Sequence, residues 1–301
     1  MNHRNPLFRG IFPPIPTPFG AKGNLDTDGL VCNLEWWNDF ALSGYVVLGS
    51  NGEAPLLRYQ EKLQLVETTR LNVSDDRLLI VGTGCQATLE TVALTCDSAE
   101  RGADAVLVLP PFYYKRQMTN RVLQTHYHRI ADSSPVPVLI YNMPACTGLD
   151  LSAELIVELS CHENIVGLKD SGADLVKMSA IRHAVQETFS LLAGSASFLL
   201  PALSVGADGG VLALANIAPQ QCLDLYYLCQ KGEYLPARTL QHSLIAANTA
   251  ITRKCGVPAL KYAMEMIGLK GGVPRLPLLP LPEQKMADLC AILREAHILL
   301  A

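Results

Sequence analysis

The sequence predicts an α/β protein built as a (β/α)8 barrel with a helical extension at its C-terminal end. Three observations carry this. Short Val/Ile/Leu-rich runs alternate with longer amphipathic stretches over the first two-thirds of the chain, the runs number eight, and beyond residue 216 they stop. Runs this short and this apolar suit strands buried on both faces, as in a parallel sheet covered by helices. Eight such units in 301 residues close naturally into a TIM barrel. The alternative is an open doubly wound sheet, which brings a glycine-rich phosphate turn after its first strand. Here Pro13, Pro14, Pro16 and Pro18 crowd that place.

The expected strands are residues 10–15, 44–48, 78–81, 105–109, 136–141, 165–168, 189–193 and 209–212. Helical spacing lies between them. Leu30, Leu34 and Trp37 share one face, and Val92, Cys96 and Ala99 share another. Ser152 precedes Leu155, Ile156 and Leu159 and is placed to cap that helix. From Ile217 onward, helical patterns at 221–229, 237–249, 259–267 and 283–293 form the extension. The expected organisation is therefore residues 1–216 as the barrel carrying the active site and 217–301 as helices packed on it. The prolines of residues 271–282 force an extended connection there, and its apolar residues fit a packed strap better than a free linker.

Composition narrows the function classes. An apolar share of 49% with 17% charged residues describes a well-packed globule, and a net charge of −4 gives no basic footprint for nucleic acid. No apolar run reaches membrane-spanning length, and Met1-Asn2-His3-Arg4-Asn5-Pro6 lacks an apolar signal core, so a cytoplasmic protein without a membrane partner is expected. The nine cysteines include no Cys-x-x-Cys pair and read as scattered small core residues in a reducing compartment. His126 and His128 flank Tyr127 inside an expected helix and point in different directions. No His/Asp/Glu cluster has ligand spacing, so no metal is expected.

Active sites of such barrels lie at the C-terminal ends of the strands, and three features fall there. Lys169 ends the sixth run, in Ile165-Val166-Gly167-Leu168-Lys169-Asp170-Ser171-Gly172. A lysine ending a core strand is either a solvated loop residue or a desolvated amine able to attack a carbonyl and form a Schiff base. Gly49-Ser50-Asn51-Gly52-Glu53-Ala54-Pro55 follows the second run and by itself is an ordinary glycine-rich turn. Tyr141 ends the fifth run, before Asn142-Met143-Pro144-Ala145-Cys146-Thr147-Gly148, and by itself is a rim aromatic. Their convergence on one barrel mouth favours imine chemistry.

With Ile11-Phe12-Pro13-Pro14-Ile15-Pro16-Thr17-Pro18-Phe19, these motifs resemble the dihydrodipicolinate synthase/N-acetylneuraminate lyase family of class I aldolases over nearly the whole chain. The resemblance implies that Lys169 captures the 2-oxo group of a pyruvate-like substrate and that Tyr141 shuttles protons at the reacting carbon. It implies that Ser50 links Tyr141 into a hydroxyl relay completed by Tyr113 from a neighbouring subunit. Tyr114 competes with Tyr113 for that role. The backbone amides of Ser50 and Asn51 would hold the pyruvyl carboxylate. Ser171 would be a polar substrate contact, although it could also cap a helix after strand six. Gly194 and Ser195 are further substrate-binding candidates, with Ser195 and Asn51 toward the distal end. A protonated imine is itself the electron sink, so the chemistry requires no cofactor and no metal. The family is commonly a homotetramer assembled as a dimer of dimers, and its partners are a small 2-oxo acid and an aldehyde.

The reaction is narrowed by a departure. The synthase of lysine biosynthesis has an arginine in the tyrosine motif that clamps its second substrate's carboxylate. Here that position matches Cys146, which cannot make a bidentate charged pair. The Ser50-Asn51 pair and Thr147-Gly148-Leu149-Asp150 are closest to 4-hydroxy-2-oxoglutarate aldolases, as are Leu192-Ala193-Gly194-Ser195 and Ala213-Leu214-Ala215-Asn216. Reversible cleavage of 4-hydroxy-2-oxoglutarate to pyruvate and glyoxylate is the first reading. A sister reaction, including dihydrodipicolinate synthase (4-hydroxy-tetrahydrodipicolinate synthase), is the second. A non-catalytic metabolite sensor is the third.

Overall fold

All eight apolar runs form strands in the computed structural model, which describes residues 8–299. β1 (Gly10–Phe12) leads to α1 (Thr27–Asn38), β2 (Gly44–Val47) to α2 (Tyr59–Leu71), and β3 (Leu78–Gly82) to α3 (Thr88–Glu100). β4 (Ala105–Val108) leads to α4 (Asn120–Ser133), and β5 (Val138–Asn142) to the short α5 (Pro144–Thr147) and α6 (Ala153–Leu159). β6 (Ile165–Asp170), α7 (Leu175–Ala184), β7 (Ser190–Ala193), α8 (Leu199–Ser204) and β8 (Gly209–Val211) complete the alternation. α9 (Pro219–Gln230), α10 (Tyr234–Thr249), α11 (Gly256–Met266) and α12 (Glu283–Glu295) follow. Ser152 caps α6 as expected, accepting the Leu155 N–H at 3.3 Å.

The sheet is parallel throughout, in the order β1-β8-β7-β6-β5-β4-β3-β2, and its two ends meet. Ser43 N–H donates to Ile11 O, Val46 N–H to Pro13 O and Ile15 N–H to Val46 O, each at 3.0 Å. The prolines explain why β1 ends three residues short of its apolar run. Pro13 and Pro14 can offer carbonyls to the neighbouring strand but no N–H, so regular pairing stops while closure does not.

Alternation along the strands sorts the core into two shells. Phe12, Val46, Ile80, Leu107, Leu139 and Tyr141 point into the barrel, with Phe8 among them. The opposite faces, including Val47, Val81, Val106, Ile140 and Leu168, pack beneath the helices.

Two expectations about burial need correction. α3 turns Thr91, Leu94, Thr95 and Ser98 inward, leaving Val92, Cys96 and Ala99 only half-buried. Its inward hydroxyls find local partners: Thr91 Oγ1 accepts the Cys85 N–H at 3.0 Å, and Thr95 Oγ1 lies 2.9 Å from Thr83 Oγ1. Satisfied small polar groups can be buried, so apolarity alone misread this face. Of the nine cysteines, all unpaired, only Cys222 and Cys229 are buried, and Cys32, Cys146 and Cys161 are exposed.

His126 on α4 is buried, with Nδ1 2.8 Å from Thr88 Oγ1 and no partner for Nε2 among the described residues. Burial pulls its pKa down to about 4. The neutral imidazole therefore stabilises the fold fully above its unfolded value of about 6.5, and this contribution is lost as pH falls from there toward the folded value. We expect about 2–3 kcal/mol of pH-dependent stability from this residue, and a flatter pH profile of urea unfolding in His126→Gln. Identical profiles would contradict the assignment.

Candidate active site

The C-terminal ends of β5 and β6 place Tyr141 and Lys169 side by side. They are register partners, both on the inward face, and Lys169 Nζ lies 4.0 Å from the centroid of the Tyr141 ring. Lys169 is 3% exposed, so it is a core residue and not a solvated loop lysine. No carboxylate pairs with it among the described residues. Lys169 is thus a buried amine over an aromatic face, without a counter-ion among the described residues.

Ser50 reaches the same place from β2. Its Oγ stands 3.5 Å from the Tyr141 hydroxyl, so the two oxygens are at the limit of hydrogen-bond reach. The turn that presents Ser50 is bracketed by Leu48 and Glu53, both with positive φ, at 58° and 55°. Non-glycine residues in this region are strained by about 1–3 kcal/mol each and persist where the surroundings fix them. Gly82 allows the first strained residue: a Cβ there would come within 2.2 Å of the Leu48 carbonyl oxygen. Inside the turn Gly52 N–H donates to Gly49 O and Glu53 N–H to Ser50 O, at 3.0 and 3.2 Å. Among the described residues the amides of Ser50 and Asn51 have no backbone acceptor. Beside Tyr141 the mouth opens into a cavity of about 340 Å³ lined by Gly49, Ser50, Lys62, Cys85 and Phe112.

Behind Lys169 the strand ends are tied together by a polar network absent from the sequence reading. Asp170, fully buried on the outward face, lies 3.6 Å from Lys177 Nζ and accepts from Asn142 Nδ2 at 3.4 Å. Burial pushes the Asp170 carboxyl up, and Lys177 opposes this. Asn142 also donates to Asp150 at 2.8 Å and accepts the Leu151 N–H at 3.0 Å. Burial works against ionising Asp150 too, but hydrogen bonds from Lys177 and Asn142 hold its carboxyl below the usual range.

The remaining expected residues divide. Ser171 is half-buried beside the mouth, and the helix-capping role falls instead to Asp174, whose side chain accepts the Lys177 N–H at 2.9 Å. Gly194 N–H donates to Asp170 O at 2.7 Å, and a Cβ at Gly194 would meet Ser171 Oγ at 2.0 Å and Asp170 O at 2.8 Å. We expect Gly194→Ala to displace Ser171, destabilise the protein by about 1–3 kcal/mol in thermal melts and lower activity. An unchanged melt and turnover would show that the loop yields freely. Ser195 Oγ is engaged by Asn248 Nδ2 at 2.8 Å and Ser197 N–H at 3.4 Å, leaving only its proton for a ligand. Tyr113 and Tyr114 are 75% and 67% exposed and line a separate groove, outside the Ser50–Tyr141 pair of their own chain. Cys146 is exposed, yet the surrounding protein desolvates its thiol enough to push it up while the Lys169 charge pulls it down.

Residues 7–296 match the model of the dihydrodipicolinate synthetase family. The chain belongs to this family. Its members are carbon–carbon lyases of the class I aldolase type, which sets aside the sensor reading. Similar proteins include the 4-hydroxy-tetrahydrodipicolinate synthase of Methanothrix thermoacetophila, 34% identical over 95% of this chain and 96% of the relative. A dihydrodipicolinate synthase from Bacillus anthracis superposes with a TM-score of 0.92 at 31% identity, covering 96% of this chain and 98% of that one. A prophage protein of the family from E. coli K12, solved in complex with pyruvate, superposes with a TM-score of 0.91 at 28% identity, covering 97% and 100%. These names favour the synthase reading over the 4-hydroxy-2-oxoglutarate aldolase reading that the motifs place first. Among the described residues no helix is long and apolar enough to cross a membrane.

Proposed function

We propose that Lys169 forms an imine with the 2-oxo group of pyruvate and that the resulting enamine adds to the aldehyde of aspartate semialdehyde, the 4-hydroxy-tetrahydrodipicolinate synthase reaction. The observation that carries this is the contact of Lys169 with Tyr141, with Ser50 closing on the tyrosine hydroxyl. Lys169 attacks the carbonyl carbon, loss of water leaves a protonated imine, and removal of a C3 proton gives the nucleophilic enamine. Tyr141, in reach of Ser50, moves that proton and the one required by the new alkoxide. The amine of aspartate semialdehyde then attacks the regenerated imine carbon and expels Lys169, which closes the ring and frees the enzyme. The free amides of Ser50 and Asn51 hold the carboxylate, Ser171 is a polar pocket contact, and the Asn51 side chain and Ser195 lie toward the distal end of the substrate. Tyr113 from a partner subunit completes the relay in a homotetramer built as a dimer of dimers.

Cys146 supports a second reading. With a thiol where the synthase has a carboxylate-clamping arginine, the acceptor end differs, and reversible cleavage of 4-hydroxy-2-oxoglutarate to pyruvate and glyoxylate fits that position. Parallel assays decide between them. Turnover of pyruvate with aspartate semialdehyde, exceeding 4-hydroxy-2-oxoglutarate cleavage in kcat/KM, is the expected result. The reverse ratio would assign the second reaction.

A further inference from the structure

The turn that carries Ser50 and Asn51 is fastened to a segment 222 residues away in sequence. Glu53 ends the turn with a fully buried carboxylate. Its Oε2 accepts the Arg275 N–H at 2.8 Å, and its Oε1 stands 2.5 Å from Lys261 Nζ, whose side chain is 1% exposed. No well-directed hydrogen bond reaches Oε1 among the described residues, so the ammonium charge is its compensation. Lys261 also donates to Val273 O at 2.9 Å and lies 4.5 Å from the Phe19 ring centroid, while the Arg275 guanidinium covers the same ring at 4.1 Å. Arg275 then grips both carboxylate oxygens of Glu61, at 2.7 and 2.8 Å. From the other side, Thr17 Oγ1 donates to Gly52 O at 2.7 Å.

Stability alone does not explain this arrangement. A buried ion pair is often replaceable by apolar residues of similar volume without loss. Burial pulls the Lys261 ammonium toward neutrality, and the Glu53 carboxylate beside it opposes this. What the pair does supply is direction. A turn with strained ends at Leu48 and Glu53 has only two internal backbone bonds, and a fixed carboxylate at one end determines where its amides point.

We propose that the Glu53–Lys261 pair, with the strap at 271–275, is a positioning device for substrate. It sets the turn so that the Ser50 and Asn51 amides face the carboxylate of the 2-oxo acid. The proposal rests on the reading of those amides as the carboxylate site and of Lys169 as the imine-forming lysine. Lys261 and Arg275 touch no reacting atom. They act through Glu53 and the turn, so their loss should weaken capture of pyruvate more than the chemistry that follows.

The test is borohydride trapping of the pyruvate imine across a range of pyruvate concentrations. The double variant Glu53→Gln/Lys261→Met removes both charges together. It is expected to fold, to be trapped at saturating pyruvate at a rate within about threefold of wild type, and to need about tenfold more pyruvate for half-maximal trapping, the loss of roughly one hydrogen bond. Lys261→Met alone, with an unpaired carboxylate, should show the larger rise in half-saturation. A folded double variant with wild-type half-saturation overturns the proposal. If the variants do not fold, hydrogen exchange on the wild type decides. Because coupling is reciprocal, pyruvate capture must slow exchange at the Arg275 amide, and unchanged exchange there overturns the proposal. Failure of the underlying reading is distinct: wild type itself would give no adduct at Lys169.

Discussion

Lys169→Ala should abolish turnover, by roughly 10⁴-fold or more, while leaving the protein as stable as wild type or more so. The two halves of this expectation come from one observation. Lys169 is buried, carries no ion pair among the described residues, and contacts the Tyr141 ring. Removing a desolvated, uncompensated amine relieves a burden on the fold, as is common where activity requires a destabilised residue. A structural lysine would behave oppositely, with stability lost and residual activity in the folded fraction. Thermal melts and steady-state assays on the same preparation distinguish the two. Lys169→Arg sharpens the test, since it keeps a cation over the ring but cannot form an imine, and it should be equally inactive.

Tyr141→Phe should lower turnover by about 10²–10⁴-fold with little change in fold, the range that general acid–base assistance contributes. The ring remains to support Lys169, and only the hydroxyl 3.5 Å from Ser50 Oγ is removed. Capture of pyruvate by the lysine should therefore persist, and the loss should fall on the steps that move protons. Ser50→Ala should give a smaller loss of the same kind. If Tyr141→Phe retains wild-type turnover, the hydroxyl is not the proton carrier, and the rim-aromatic reading of this residue stands.

The barrel and its site were legible in the sequence to different depths. Strand positions could be read because each run is buried on both faces and its apolar residues are contiguous, so all eight emerged, with β1 shortened only where prolines lack a donor. The Lys169–Tyr141 pairing was accessible because each lies near the C-terminal end of one of two adjacent strands, and parallel register brings strand ends together. The inward face of α3 was not, since Thr91 and Thr95 are buried through side-chain bonds that hydropathy cannot register. Nor was the Glu53–Lys261–Arg275 anchor, in which Glu53 is more than two hundred residues from the other two and meets them only when the strap folds back. Yet a signal existed. Lys261 lies within Ala259-Leu260-Lys261-Tyr262-Ala263-Met264, and a lysine on an apolar helix face poses the same question as a lysine at the end of a core strand. Of the expected site residues, Ser50, Tyr141 and Lys169 are brought together within one chain, whereas Tyr113 faces outward.

Reduction with borohydride in the presence of pyruvate, followed by intact mass and peptide mapping, tests imine chemistry at Lys169 most directly. One reduced pyruvyl adduct per chain, mapped to Lys169 and absent from Lys169→Ala, is the expected result. An active, folded wild-type protein that gives no adduct, or an adduct mapped to another lysine, would contradict it.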